Sequence, residues 1–163
     1  MDMSGNPHRV RVANGDDEAE LMGLCRALWQ ENGLFPMCDE KVQEFLRSAL
    51  IGPIETRKGI VGVIGKRGAI EGSIFLELGS LWYTDAITLS EIWNFVKVEY
   101  RNSTNSRDLI AFAKLCAERF HLPLLIGVLS NHRTQAKVRH YRALLGEPAG
   151  AFFLHGVTSG AQH

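Results

Sequence analysis

The residues around position 98 have the types and order to do chemistry. An apolar run, Phe95-Val96-Lys97-Val98-Glu99-Tyr100-Arg101, passes into the small polar residues Asn102-Ser103-Thr104-Asn105-Ser106 and then into a helical pattern. A strand that enters a helix through such a loop leaves unpaired backbone N–H groups at the helix start, and these favour phosphate. Arg101 and Arg107 flank the loop and add positive charge. A plain polar turn between strand and helix accounts for the same residues. A second cationic row, Arg133, Lys137, Arg139, His140 and Arg142, suits a phosphate, an acidic partner or a solvated helix face. No cluster of His, Cys and carboxylate has metal spacing, so no metal is expected. No Gly-x-Ser-x-Gly elbow is present.

The elements that must position these residues follow from periodicity. Val10 and Val12 alternate with Arg9 and Arg11 as a first strand, and Asn14-Gly15-Asp16 makes a turn and a helix cap. Leu21, Leu24, Cys25 and Leu28 form one apolar helical stripe. Asp39 caps a second helix, with Val42, Phe45, Leu46 and Ala49 inward. The period then changes to two. Ile60 to Ile64 is a strand, Gly65 to Gly68 a hairpin turn, and Ala69 to Leu78 the returning strand. Gly79 to Leu89 reads as a loop carrying Leu81, Trp82 and Tyr83, and Glu91 to Val98 as the next strand. A helix follows with Leu109, Phe112, Ala113, Cys116 and Phe120 on one face. Then come a strand from Leu124 to Leu129, a helix from Arg133 to Leu145, and a short strand from Ala151 to Leu154. The order β, α, α, β, β, β, α, β, α, β describes a layered α/β domain.

Composition bounds the function. The 163 residues fit one domain, here 1–163 with a core over 8–155 and frayed ends such as Thr158 to His163. Eighteen basic residues balance eighteen acidic ones, so no overall footprint for nucleic acid exists. No apolar run is long enough to span a membrane, and Met1 to Asn6 lack the apolar stretch of a signal peptide. The three cysteines stand far apart, and Cys25 and Cys116 fall on apolar helical faces. They read as buried free thiols of a cytoplasmic protein.

The run from Phe95 to Arg101 resembles the signature of the GCN5-related N-acetyltransferases (GNAT), in which alternating apolar strand residues end in Glu-Tyr-Arg. That family continues with x-x-Gly-x-Gly/Ala and two apolar helix residues. Here Asn102 to Ser106 fill the slot, and Leu109-Ile110 fall where the apolar pair belongs. The order of elements also matches over nearly the whole chain. Lys137-Val138-Arg139-His140-Tyr141-Arg142 is similar to a Lys-x-Arg-x-Tyr-Arg stretch of phage and prophage members. Thr104 and Ser106 depart from the pattern by replacing both glycines, and a Cβ there can block close approach to pyrophosphate.

The resemblance implies a mixed, mostly antiparallel sheet with helices on both faces and a splay between its fourth and fifth strands. It implies acetyl-CoA as co-substrate and direct transfer of the acetyl group to a primary amine of a small molecule, a protein or a modified base. The backbone of Val96 and Val98 would pair with the pantetheine arm, and the Val98 N–H would stabilise the oxyanion. Arg101, Asn102, Ser103, Thr104, Asn105, Ser106 and Arg107 would hold the pyrophosphate. Tyr141 would protonate the leaving thiolate. Its spacing with Val138 and Leu145 also fits a core tyrosine. Asn131 would lie near the pantetheine, or cap the last helix. Glu91 is a weak candidate for the base, with Glu77, His132 and His155 behind it. The aromatic loop at 81–83 could wall the acceptor site, contact a second copy in a homodimer, or be core. Two other readings stand beside this one: a GNAT-fold binding or virion-associated protein without catalysis, and an unrelated α/β binding domain.

Overall fold

The apolar stripe of Leu21, Leu24, Cys25 and Leu28 forms helix α1, Glu18–Asn32, in which all four side chains are buried. The protein is seen in a computed structural model that describes residues 4–156. The expected frayed end, Thr158 to His163, lies outside the described residues. Asn14 and Asp17 set the approach to α1 through a reciprocal capping box. Asp17 is fully buried and receives both arms of Arg11 at 2.8 and 2.9 Å. That bidentate bond holds the Asp17 pKa below its ordinary value, against desolvation. Helix α2, Asp39–Leu50, buries Leu46, Ala49 and Leu50.

Five strands, β1 (Arg11–Val12), β2 (Gly59–Lys66), β3 (Ala69–Ser80), β4 (Ile87–Val96) and β5 (Leu124–Leu125), lie in the order 1-2-3-4-5. Neighbours are antiparallel except β4 and β5, which are parallel. The β2–β3 hairpin turns on Arg67-Gly68, and Gly68 has φ +83°, a conformation that glycine adopts without strain. Helix α3, Asn105–Phe120, and helix α4, Thr134–Leu145, follow β4 and β5. One face of the sheet packs α1 and α2 around Phe75, Trp93 and Phe95. Phe75 stacks on Phe45 and meets Trp93 edge-on, each with ring centres 4.9 Å apart. The other face packs α3 against Ile74, Leu76, Leu89 and Val96, with Tyr141 and Leu144 of α4 at the margin.

Strand β4 carries a bulge. Phe75 faces Trp93 and Leu76 faces Glu91, so Ile92 is the extra residue. Because side chains alternate, one added residue exchanges the faces beyond it. Leu89 packs with the α3-side core, and beyond the bulge Val96 returns to that core while Trp93 and Phe95 go to the α1 side. Glu91 and Asn94 therefore share a face across the bulge.

Several expected boundaries move. β3 runs to Ser80 and β4 starts at Ile87, so the loop is shorter than residues 79–89. β4 ends at Val96, and Val98 opens a single 3-10 turn, Val98–Tyr100. β5 pairs only at Leu124 and Leu125, because β4 then diverges from it. The expected strand at 151–154 forms no pairing, and Phe152 and Phe153 are exposed.

The start of the chain straps the start of α3. Arg9 donates to Thr104 Oγ1, Asp108 Oδ2 and Asn105 Oδ1, and the Asn6 N–H donates to Asp108 Oδ1. Gly5 lies so close that a Cβ there would stand 2.2 Å from the Arg107 carbonyl oxygen. Among the described residues no helix is long and apolar enough to cross a membrane.

Candidate active site

The parallel pair β4–β5 is bonded through Ser90 and Leu125 and then opens. Beyond that point the β5-facing edge of β4 has no strand partner among the described residues. The opening is a cleft of about 290 Å³, floored by Asn94 and Val96 and walled by α4 and the end of α1. Among the described lining residues, the cations Arg101, Arg133 and Lys137 stand against the single carboxylate of Glu31, with His132 and His140 beside them.

Tyr141 lines the cleft, and Glu91 lies near it on β4, outside the lining. A Glu91 carboxylate oxygen accepts from the Gly127 N–H at 3.3 Å, across the point of divergence. Desolvation pushes the Glu91 pKa up to about 7, and the Gly127 bond opposes this. Tyr141 reaches in from α4, and its hydroxyl oxygen accepts from Asn94 Nδ2 at 3.1 Å. Burial raises the phenol well above its ordinary value; the Glu91 charge adds to this and the Asn94 bond opposes it. Two groups able to take and give a proton thus flank one open strand edge.

Arg101 spans the cleft. Its Nε donates to the Val96 carbonyl at 3.0 Å, its Nη2 to Glu31 at 2.7 Å, and its guanidinium lies 5.3 Å from the centre of the Phe95 ring. Burial pushes the Glu31 pKa up, but the Arg101 bond and the charges of Arg101, His132 and Lys137 outweigh it, and the net shift is downward. Lys137 donates to Asn32 and Ser130 beside this pair. Its pKa is lowered by burial first, with Glu31 acting the other way.

The polar loop is internally bonded. Thr104 donates to Asp108, Asn105 donates to Glu71 at 2.8 Å, and Ser103 accepts from the Asn105 N–H. Ser106 Oγ lies 2.9 Å from His140 Nε2, which joins the loop to α4. Asn102 is exposed. Asn131 does not cap α4, whose N-cap is Arg133 with φ +50°. It donates instead to the Gly33 carbonyl at 2.8 Å and fastens the β5–α4 loop to the end of α1.

Val98 lies elsewhere. It is 66% exposed and lines a separate groove of about 620 Å³ beside Gly23, Ala27 and Lys97, on the α1 side. Lys97 and Arg107 flank the turn, and Glu77 and His155 do not line the cleft. Asn94 was not among the expected site residues. Its only sequence signal is a polar amide inside an apolar strand. Among the described residues no group of His, Cys, Asp and Glu has the arrangement of a metal site.

No family model matches the chain, and no curated protein matches it. Solved structures do. An integron cassette protein, HFX_CASS3, from the mobile metagenome of Cole Harbour Salt Marsh has 19% identity over 94% of this chain and 92% of its own, with a TM-score of 0.70. AAC(6')-Iy in complex with the bisubstrate analog CoA-S-monomethyl-acetylneamine has 14% identity over 91% and 96%, with a TM-score of 0.68. The fold is that of the GCN5-related N-acetyltransferases. A ribosomal-protein-alanine N-acetyltransferase from Brucella melitensis biovar Abortus 2308 shares it at 13% identity over 91% and 99%, with a TM-score of 0.64. In this acetyltransferase fold the opening between β4 and β5 is the cleft described above.

Proposed function

We propose that the chain is an acetyl-CoA-dependent N-acetyltransferase, a single-domain cytoplasmic protein that moves an acetyl group to a primary amine in a ternary complex. The observation that carries this reading is Tyr141 in the lining of a cleft beside Arg101, Arg133 and Lys137, with the Glu91 carboxyl near enough to act on its phenol. The lining fits an anionic carrier. Arg101, Arg107 and the free N–H groups at the start of α3 suit its pyrophosphate. Arg133, Lys137 and His140 suit further phosphate, and Asn131 sits at the rim. The side chains of Thr104 and Asn105 are already bonded, so Asn102 to Ser106 would contribute mainly backbone.

The open edge of β4 from Glu91 to Val96 would receive the pantetheine as an added strand. The proton-transfer groups stand at 91–94, so the thioester belongs at that level, and its oxyanion donor is a backbone N–H near the bulge rather than Val98. Glu91, with a pKa of about 7, takes the proton of the attacking amine. The amine nitrogen adds to the thioester carbonyl carbon. The C–S bond then breaks, and Tyr141 gives its proton to the sulfur. Protonation of Glu91 removes the charge that raises the phenol, so Tyr141 becomes a better acid after the first transfer.

One observation favours the alternative of a GNAT-fold binding or virion-associated protein without catalysis. Arg101 already caps the Val96 carbonyl and pairs with Glu31, so a ligand must displace it. The resemblance of residues 137–142 to phage and prophage proteins points the same way. The acceptor is an amine, as in the aminoglycoside-derived half of the analog bound by AAC(6')-Iy. Titration calorimetry with acetyl-CoA is the test. Micromolar binding supports the enzyme, whereas absence of binding at millimolar concentration removes it.

A further inference from the structure

Among the described residues Asn94 is the one that contacts Tyr141 by a hydrogen bond, and half of its amide is unsatisfied. Nδ2 donates to the Tyr141 hydroxyl oxygen. Oδ1 is buried and has no hydrogen-bond partner among the described residues. Turning the amide over does not relieve this. Oδ1 would then accept the phenol proton, and the amino group would be left unpaired instead. A leucine would remove the unpaired oxygen but also the donor to the Tyr141 oxygen, so the half-satisfied amide brings little net stability.

The two orientations differ in what they leave the phenol free to do. With Nδ2 toward Tyr141, the phenol oxygen is the acceptor, and its own proton has no partner among the described residues. With Oδ1 toward Tyr141, the phenol proton is held by the amide and cannot reach a leaving group. The bulge at Ile92 matters here, because it returns position 94 to the face that carries Glu91.

We infer that Asn94 is a positioning residue for Tyr141: its N–H holds the phenol oxygen so that the hydroxyl proton points into the cleft, toward the departing sulfur. The inference rests on the acetyltransferase reading above. As the C–S bond breaks, the sulfur keeps the bonding pair and takes the Tyr141 proton. The phenolate left behind keeps the Asn94 N–H bond until water restores its proton. Aspartate at this position reverses the polarity, since a carboxylate can only accept from the phenol.

The experiment compares wild type with Asn94→Leu, Asn94→Asp, Tyr141→Phe and the double variant Asn94→Leu/Tyr141→Phe. Acetyl-CoA binding is read by calorimetry, unfolding by thermal melt, the thiol pKa of bound CoA by thiolate absorbance, and turnover on the best of kanamycin, spermidine and lysine. Asn94→Leu is expected to melt at or above wild type and to bind acetyl-CoA within about threefold, with kcat lowered about tenfold or more. Asn94→Asp should lower kcat at least as far and raise the thiol pKa of bound CoA, as Tyr141→Phe does. In the Tyr141→Phe background, Asn94→Leu should cost nothing further in kcat, because its effect passes through the phenol. Multiplicative losses in the double variant overturn the assignment, as does full activity in Asn94→Asp. A destabilised Asn94→Leu with normal kcat overturns it too. Failure of wild type to bind acetyl-CoA removes the acetyltransferase reading and this assignment together, whereas normal binding with multiplicative losses removes the assignment alone.

Discussion

At the scale of single residues, the proposed reaction depends on Glu91, a carboxyl whose pKa is raised by desolvation. Burial keeps Glu91 protonated to about pH 7, and a base must be unprotonated. The expected pH profile of kcat/KM therefore rises with pH and is half-complete near pH 7. Glu91→Gln should remove that limb and most of the activity; an unchanged limb excludes Glu91 as the base. Stability should run the other way. Between about pH 4.5 and pH 7 the folded protein holds a proton that the unfolded chain has released, so stability falls as pH rises through that window. The glutamine variant should lack this fall, and thermal melts at pH 5 and pH 8 measure it. Arg101 and Tyr141, expected through the resemblance to the GNAT signature, both line the cleft, whereas Glu91, a weak candidate for the base, lies outside its lining. Asn94 was not legible in the sequence: its meaning comes from the tyrosine 47 positions later that accepts its N–H. The strand expected to run to Val98 ends at Val96, since periodicity does not show where a strand breaks into a 3-10 turn.

At the scale of elements, the cleft is bounded by two contacts that compete with a ligand or support its loop. The first is the Arg101–Glu31 pair, which joins the end of β4 to α1. A pyrophosphate must take Arg101 from Glu31. Glu31→Gln should thus tighten acetyl-CoA about tenfold, whereas Arg101→Glu should weaken it by a hundredfold or more. Calorimetry on both variants checks the pair, and equal affinities would show that Arg101 does not meet the ligand. The second contact is the strap over α3. Gly5→Ala drives a Cβ into the Arg107 carbonyl and should cost roughly 1–3 kcal/mol. Gly23→Ala on α1 meets nothing within 4 Å and should instead add up to about 1 kcal/mol. Urea unfolding of the two variants should give shifts of opposite sign. The helices were legible because their apolar stripes are long. The strands were less so. Ile87 to Leu89 read as loop because Thr88 dilutes the alternation, although Thr88 bonds back to the Gly79 carbonyl. Residues 126–129 were taken for strand because Ile126 still faces the core after pairing with β4 has ended.

At the scale of the whole molecule, the neutral sum of charges hides a segregated distribution, with cations gathered on the cleft. Apolar surface is segregated too. Trp82 is 95% exposed on the β3–β4 loop, with Tyr83 beside it, and Phe153 is 96% exposed near the other end of the chain. This exposure overturns the core alternative for Trp82; of the other two, we propose contact between two copies. Sedimentation equilibrium should then show a dimer that Trp82→Ser with Tyr83→Ser shifts to monomer, and a wild type that stays monomeric at high concentration ends that reading. Order in the fold was legible at this scale from the sequence of elements alone. Partnering at 151–154 was not, because alternation marks a chain fit for a strand without supplying its neighbour.

The strap has a consequence in time. Asn6 and Asp108 are 102 positions apart, yet each completes the other's hydrogen bonding. On a ribosome adding about 5–20 residues per second, the first of these waits roughly 5–20 s for the second. Throughout that interval Arg9 has no carboxylate at α3 to meet, although β1 can already pair with β2. The turn before α3 thus takes its shape only once Asp108 is made, although half of what fixes it leaves the exit tunnel long before.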